Sequence, residues 1–307
     1  MCKIKMGQIF GVPTNERNNN LPNPILTDEL LKNETNARSL LCHSMSTHGY
    51  SILRISDNRL RDLILKTRKD VSEFFDKDFE EKSKFHLPDV DDGLFVRKKN
   101  RGYINQEEKE YLKIRMVDEK ENFPENVFDS FQECLEEFYK IVLCSFLRLA
   151  QGPSAEQAYP NFYEEEFSKE EFKIDENYWI VPSQVHIVKE FIKEGSSVSV
   201  IRYFKRSEED FNLHIPCSEH FDTGVLTCIL VSEVPGLEVV DQATGEWTPV
   251  EQLAQPGDLF LIMGRKIDIL KEPDTPLTPT FHRVRIQNNI ERHSILFFFD
   301  LPNGQYD

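Results

Sequence analysis

The sequence predicts an α+β protein that is mainly β, in which a barrel or jelly roll carries helices on its outer surface. Two patterns support this fold class. Apolar residues recur at helical spacing before about residue 175, and short apolar runs separated by Gly and Pro follow it. The helical stripes need an apolar partner, which the sheet would supply. We therefore expect one domain over residues 1–307, mainly helical over 1–175 and jelly roll over 176–307.

Leucines at helical spacing mark the first predicted helical stretch, which includes Leu30 and Leu41. Thr27 or Asp28 is the expected cap at its start, because short polar side chains accept hydrogen bonds from the first free backbone N–H groups. The His48-Gly49 pair breaks the pattern. Residues 50–55 then alternate in the manner of a short strand.

Two longer helices are predicted further along the chain. One begins after Asp57 or Asn58, and the other follows Pro124. Their apolar stripes contain Leu60, Ile64, Thr67, Val71, Phe74 and Phe75 in the first, and Val127, Phe131, Leu135, Phe138 and Val142 in the second.

Six short apolar runs after residue 175 are predicted to be strands. They cover residues 197–204, 225–231, 237–240, 258–263, 281–287 and 292–299. Many short strands with regular turn signals are typical of barrels and jelly rolls.

Composition and charge exclude several classes of protein. The chain has 37 basic and 53 acidic residues, a net charge of -16, which disfavours nucleic acid and anionic membrane as partners. No apolar run approaches the ~18 residues of a membrane helix, and the first residues lack a secretory pattern. We therefore expect a cytoplasmic protein with six reduced cysteines, a small-molecule substrate and no obligate protein partner.

Two stretches of the predicted β half carry candidate metal ligands. His220 and Asp222 are two residues apart, so on a strand they share one face. His282 begins another predicted strand. Two imidazoles and one carboxylate can occupy one face of an octahedral Fe(II) ion and leave three positions open. A histidine and an aspartate at this spacing also occur together by chance in a loop, so the pair alone is weak evidence.

A third stretch places a cation and a hydroxyl on one strand face. Arg292 and Ser294 alternate with His293, and Leu296 and Phe298 continue the same face. An arginine inside a barrel needs an anionic partner, because an unpaired buried charge is costly. A guanidinium beside a hydroxyl suits a carboxylate, and the distal carboxylate of 2-oxoglutarate is one such partner.

The chain resembles the Fe(II)/2-oxoglutarate-dependent dioxygenases of the isopenicillin N synthase-like group over nearly its whole length. The matching motifs stand in the family's order: His48-Gly49-Tyr50, Arg101-Gly102-Tyr103, His220-Phe221-Asp222, Pro235-Gly236-Leu237, Pro256-Gly257-Asp258, His282-Arg283-Val284 and Arg292-His293-Ser294. The resemblance implies a double-stranded β-helix core and Fe(II) bound by His220, Asp222 and His282. It also implies 2-oxoglutarate bound by Arg292, Ser294 and Tyr203, although Lys205 stands near where many relatives have proline.

The resemblance implies an oxygenase that uses O2 and 2-oxoglutarate to oxidise an unactivated C–H bond, with ascorbate as reductant. Hydroxylation, desaturation and ring closure all remain open, as does the substrate, which specialised metabolism would supply. Two alternatives stand beside it: a 2-oxoglutarate-independent oxidase of the same family, and a non-catalytic binding protein. No catalytic residue is expected beyond the metal site.

The same resemblance supplies three candidate substrate-binding residues. Arg101 would hold a carboxylate or other anionic group of an amino-acid-derived substrate, and Tyr103 would add a hydroxyl donor or an apolar wall. Phe221 would close one side of the pocket or belong to the core. The insert over residues 267–279, with its three prolines, would form a loop over the mouth of the site.

Overall fold

A computed structural model describes residues 21–32, 34–87, 101–115, 125–151, 195–205, 215–270, 277–286 and 290–300. Its helices are α1 (Thr27–Leu31), α2 (Thr35–His48), α3 (Asn58–Phe75), α4 (Phe79–Ser83) and α5 (Glu125–Gln151). Within these ranges, no helix has both the length and the apolar composition of a membrane span.

The helix ends follow local sequence signals. The predicted cap of α3 is Asp57, whose carboxylate accepts a hydrogen bond of 2.8 Å from the Arg59 N–H. Gly49 ends α2 with φ of 83°, a left-handed conformation that glycine adopts without steric cost. The predicted side-chain cap at Thr27 or Asp28 is wrong, because α1 begins at Thr27 and no side chain caps it.

Two sheets of unequal size form the core. Their strands are β1 (Ile25–Leu26), β2 (Tyr50–Arg54), β3 (His86–Leu87), β4 (Arg101–Asn105), β5 (Lys109–Arg115), β6 (Ser197–Tyr203), β7 (Cys217–His220), β8 (Leu226–Leu230), β9 (Leu237–Val240), β10 (Trp247–Thr248), β11 (Leu259–Met263), β12 (His282–Val284) and β13 (Arg292–Phe299). The large sheet has the order β1-β2-β11-β8-β13-β6-β5-β4-β3, and the small sheet has the order β10-β9-β12-β7. This architecture confirms the predicted fold class, a mainly β protein with a jelly-roll core.

The region over residues 1–175 contributes more strands than predicted. Besides the expected strand β2, it supplies β1, which pairs with β2, and β3, β4 and β5, which extend the large sheet beyond β6. The alternation of buried and half-buried residues along β5 is a period-two signal that the sequence already contained. The single-domain organisation stays a prediction.

Both faces of the large sheet are buried, each in a different hydrophobic core. On the helix-packed face, the cross-strand neighbours Tyr103, Leu112, Val200 and Ile295 join a core with α3 and α5. On the opposite face, which we call the inner face, a second core joins residues such as Ile229 and Phe260 to Leu237 and Val239 of the small sheet. The space between the two sheets holds the candidate site.

Candidate metal centre

The three predicted metal ligands lie together at one end of the small sheet. His220 is the last residue of β7, Asp222 follows two residues later, and His282 begins β12. His282 is the direct cross-strand partner of His220, and their ring centroids are 4.3 Å apart. The Asp222 Oδ1 atom lies 3.6 Å from His220 Nε2 and 3.8 Å from His282 Nε2. One ligand atom from each residue therefore lies within 4.8 Å of the others.

Neighbouring groups fix the orientation of all three side chains. His220 Nδ1 lies 2.7 Å from the Ser218 carbonyl oxygen, and His282 Nδ1 lies 3.0 Å from that of Thr280. Because a carbonyl only accepts, each Nδ1 is the donor, and each Nε2 is the nitrogen that could bind a metal in place of a proton. The Thr227 hydroxyl donates to Asp222 Oδ2 at 2.5 Å, so Oδ1 is the oxygen directed at the two imidazoles.

A close backbone contact holds the loop that carries Asp222. A Cβ atom on Gly264 would overlap the Gly224 carbonyl oxygen, so only glycine allows this approach. The Gly264 and Arg265 N–H groups donate to the carbonyl oxygens of Val225 and Asp222 at 2.9 and 2.8 Å. These contacts, which sequence reasoning missed, tie the loop to the end of β11.

The electrostatics of the three residues match a cation site. The Asp222 carboxylate raises the pKa of His220 to about 10, with a smaller contribution from Cys217. Burial raises the pKa of Asp222, but His220, His282 and Thr227 outweigh burial and lower it overall. Asp222 is thus a buried carboxylate that stays ionised beside two imidazoles. Two nitrogens and one carboxylate oxygen suit ferrous iron, so the residues present fit this metal.

Arg292 of the inner face has a partner within the protein. It is 1% exposed, and its Nη2 atom lies 3.2 Å from Glu251 Oε1, while Nη1 donates to the Val234 carbonyl oxygen at 2.5 Å. Glu251 therefore supplies an anionic partner for Arg292 within the protein, and the assignment of Arg292 to 2-oxoglutarate stays a prediction. The buried Nε atom of Arg292 has no hydrogen-bond partner within the described ranges.

Tyr203 and Ser294 share the inner face with Arg292. Tyr203 is the cross-strand neighbour of Arg292, and Ser294 lies two residues further along β13. Both are buried, with exposures of 1% and 2%. Burial raises the pKa of the Tyr203 phenol, and the charges of Arg292 and Asp222 both act on it. Tyr203 is therefore within electrostatic range of both Arg292 and the predicted metal ligand Asp222.

The three predicted substrate-binding residues have different surroundings. Tyr103 lies on the helix-packed face, where its ring contacts Phe74 and its hydroxyl donates to Glu110. This placement contradicts the prediction that Tyr103 contacts substrate, because the inner face is on the other side of the sheet. Gly102, with φ of 70°, admits the backbone of Phe85 rather than a ligand.

Arg101 begins β4, and its side chain falls outside what the structure describes. Phe221 lies between the metal ligands His220 and Asp222. Its ring centroid is 4.8 Å from that of Phe281, and Arg265 lies over its other side. Of the insert over residues 267–279, the structure describes part of a 3-10 turn, Arg265–Leu270, and residues 277–279.

Two imidazoles and a carboxylate on a jelly roll define a mononuclear site of the kind that non-haem Fe(II) oxygenases use. Residues 195–301 match the family model of the 2OG-Fe(II) oxygenase superfamily. This segment, about a third of the chain, agrees with the resemblance seen in the sequence.

Curated relatives match part of the chain, and solved structures share its fold. The chain is 35% identical over 89 residues to the clavatol oxidase claD of Penicillium crustosum, and 34% identical over 97 residues to the 2-oxoglutarate-Fe(II) type oxidoreductase hxnY of Emericella nidulans. These matches cover 29% and 30% of this chain, and 25% of the length of each relative. A full-length Neurospora crassa protein, solved in complex with alpha-KG, has a TM-score of 0.68 at 17% identity, covering 95% of this chain and 88% of that one. A dioxygenase for auxin oxidation from rice has a TM-score of 0.64 at 16% identity, covering 92% and 84%.

Proposed function

We propose that this protein is an Fe(II)- and 2-oxoglutarate-dependent oxygenase that oxidises an unactivated C–H bond of a small molecule. The convergence of His220, Asp222 and His282, with both Nε2 atoms directed toward one carboxylate oxygen, is the observation that supports it most. Fe(II), when bound, would allow O2 to oxidise both 2-oxoglutarate, to succinate and CO2, and the substrate. The protein's own residues hold the metal, orient both substrates and exclude water.

The inner face supplies the groups that we assign to 2-oxoglutarate. Arg292 has a buried Nε donor without a partner in the described part of the chain, and Tyr203 and Ser294 present hydroxyls on the same face. A buried donor of this kind costs free energy unless a ligand accepts its hydrogen bond. The chemistry of these three residues fits the distal carboxylate of the cosubstrate.

A lysine on the same face supports a substrate that carries a carboxylate or another anionic group. Lys113 of β5 is the cross-strand neighbour of Ser199 and lies 5.5 Å above the Phe298 ring centroid. Burial lowers the pKa of Lys113, whereas the charges of Asp300 and Asp222 raise it. The ammonium group therefore lies within electrostatic reach of a metal ligand. We assign to Lys113 the anion-binding role that sequence reasoning gave to Arg101, and we keep Phe221 as a wall of the pocket.

The fungal relatives, named as an oxidase and an oxidoreductase, support oxidation of a small molecule in specialised metabolism. Ascorbate would keep the iron ferrous, and the cytoplasm is the compartment that fits these requirements. Hydroxylation, desaturation and ring closure are all compatible with the site.

One observation favours a second candidate, a 2-oxoglutarate-independent oxidase. Glu251 already forms an ion pair with Arg292, the side chain that would otherwise bind the cosubstrate. The two candidates differ in stoichiometry, because only the first forms one succinate for each substrate oxidised.

The test is a metabolite screen with the purified protein, Fe(II), ascorbate and 2-oxoglutarate under air, with succinate and substrate loss measured by mass spectrometry. We expect succinate to appear in step with the loss of an anionic compound. Substrate loss without succinate would support the oxidase instead. Stoichiometric Fe(II) binding with neither product would support a non-catalytic binding protein.

A further inference from the structure

The balance of charge around Arg292 leaves no positive charge for a ligand. Glu251 is 1% exposed at its side chain, as is Arg292. The Glu251 carboxylate also accepts hydrogen bonds from three backbone N–H groups, those of Ser232 at 3.0 Å, Gly236 at 2.6 Å and Leu237 at 2.8 Å. These bonds hold the carboxylate in place.

A second arginine near the Arg292–Glu251 pair does not change the local balance of charge. Arg68 of α3 donates to the Val231 carbonyl oxygen, and Glu233 lies 3.9 Å from it. Two guanidinium groups therefore face two carboxylates. A 2-oxoglutarate molecule would bring one further negative charge to this end of the site, and a buried charge without a counterion is costly.

Lys109 is a cation of the inner face that lies in the same row as Arg292. It is the direct cross-strand neighbour of Tyr203, whose other cross-strand neighbour is Arg292. The three side chains thus form one row across β5, β6 and β13. The half-buried Lys109 side chain makes no ion pair within the described ranges, and its Nζ atom lies 5.9 Å from the Tyr203 ring centroid.

The Lys109 ammonium group is also within electrostatic range of Cys217, a neighbour of the predicted metal ligand His220. Its charge acts on the thiol of Cys217, and Cys217 Sγ is 4.0 Å from His220 Nδ1. The charges of Arg292 and Asp222 both act on the Tyr203 phenol, so a dicarboxylate that joins the predicted metal ligands to Arg292 would pass near this row.

We propose that Lys109 supplies the positive charge that balances the distal carboxylate of 2-oxoglutarate, while Arg292, neutralised by Glu251, supplies hydrogen-bond geometry. This inference rests on the proposed function and adds a cosubstrate-binding residue to it. A lysine suits this role because its ammonium is a compact charge on a flexible stem, whereas the arginine provides a rigid fork.

The test measures cosubstrate affinity rather than turnover. 2-Oxoglutarate is titrated calorimetrically into the Mn(II)-loaded full-length protein, in wild type and in the variants Lys109→Gln, Lys109→Arg and Lys69→Gln. Loss of a charge-assisted contact should weaken binding roughly tenfold or more in Lys109→Gln. Lys109→Arg keeps the charge and should stay within about threefold of wild type. Lys69, an exposed residue of α3 that pairs with Glu73, controls for the loss of one positive charge and should have no effect.

A second ligand tests the assignment to the distal carboxylate. 2-Oxopentanoate has the same chain length as 2-oxoglutarate but lacks that carboxylate, so Lys109→Gln should leave its affinity within about twofold of wild type. Equal 2-oxoglutarate affinity in wild type and Lys109→Gln, or an equal loss for both ligands, would overturn the inference. Wild-type protein without metal-dependent 2-oxoglutarate binding would contradict the proposed function, and the inference would fall with it.

Discussion

Replacing Glu251 with alanine should destabilise the protein more than removal of any surface carboxylate. The substitution leaves the guanidinium of Arg292 buried without its counterion at 3.2 Å, and it removes the acceptor of three buried backbone N–H groups. At an effective dielectric constant of about 20, two unit charges at this separation interact by about 5 kcal/mol. Breaking a buried pair by removing one partner costs about 3–5 kcal/mol in practice. For a domain of this size the melting temperature should fall by roughly 6–10 °C.

The assay is thermal and urea unfolding followed by circular dichroism, with Glu137→Ala as the matched control. Glu137 pairs with Arg59 and Lys140 at the surface, at 3.0 and 2.9 Å, so its removal should cost less than about 1 kcal/mol. The stability loss of Glu251→Gln should fall between those of Glu251→Ala and Glu137→Ala, because an amide oxygen still accepts hydrogen bonds from backbone N–H groups but carries no charge. If Glu251→Ala loses no more stability than Glu137→Ala, the buried pair does not stabilise the fold as argued.

Three further changes test the metal centre and the inner face. His282→Ala should abolish stoichiometric Fe(II) binding in an anaerobic titration, because one of only three donors is lost; tight binding by this variant would exclude His282 as a ligand. Thr227→Val should weaken metal binding about 10- to 100-fold by releasing the Asp222 carboxylate, whereas the equally buried Thr67→Val, whose hydroxyl donates to a backbone carbonyl between α3 and α5, should leave the metal dissociation constant unchanged. Lys113→Met should raise stability at neutral pH by on the order of 1 kcal/mol, measured by urea unfolding. Burial lowers the pKa of Lys113, so the folded chain binds its proton less tightly than the unfolded chain, and the gain should shrink as the pH rises toward the unfolded value of about 10.4. A stability gain that grows as the pH rises would contradict a lowered pKa of Lys113 in the folded protein.

The sequence predicted the parts of this molecule that depend on local spacing. The cap at Asp57, the long helix after Pro124 and six of the jelly-roll strands follow from periodicity and turn residues, whereas β7 and β10 were not among the predicted strands. The proximity of His220 and Asp222 follows from their two-residue spacing at a strand end, and the resemblance brought in His282. The structure brings these three residues together, because β12 pairs with β7 in a register that sets His282 opposite His220.

Sequence reasoning failed where a side chain's role depends on which face of the large sheet it occupies. Tyr103 matched a family motif, yet its cross-strand pairing with Leu112 sets it on the helix-packed face. The alternation in β5 was present in the sequence, but it could not show that Lys109 and Lys113 share a face with Arg292. That relation depends on the register of β5 against β6 and of β6 against β13. Register is a tertiary property, so a single strand does not encode it.

The partnership of Glu251 with Arg292 illustrates why a buried charge alone does not identify a ligand. The two residues are 41 positions apart, and Glu251 reaches the arginine from the short 3-10 turn Val250–Leu253. The physical requirement for a counterion was correctly derived, but the protein meets it internally. A ligand assignment for a buried cation therefore needs a second observation, such as a donor that stays unpaired after all protein contacts are made. At Arg292 that observation is the buried Nε atom, which has no hydrogen-bond partner within the described ranges. At Lys109 it is an ammonium group beside the Tyr203 ring that forms no ion pair in the described part of the chain. In a chain with a net charge of -16, Lys109 and Lys113 place positive charge on the same face of the large sheet as Arg292.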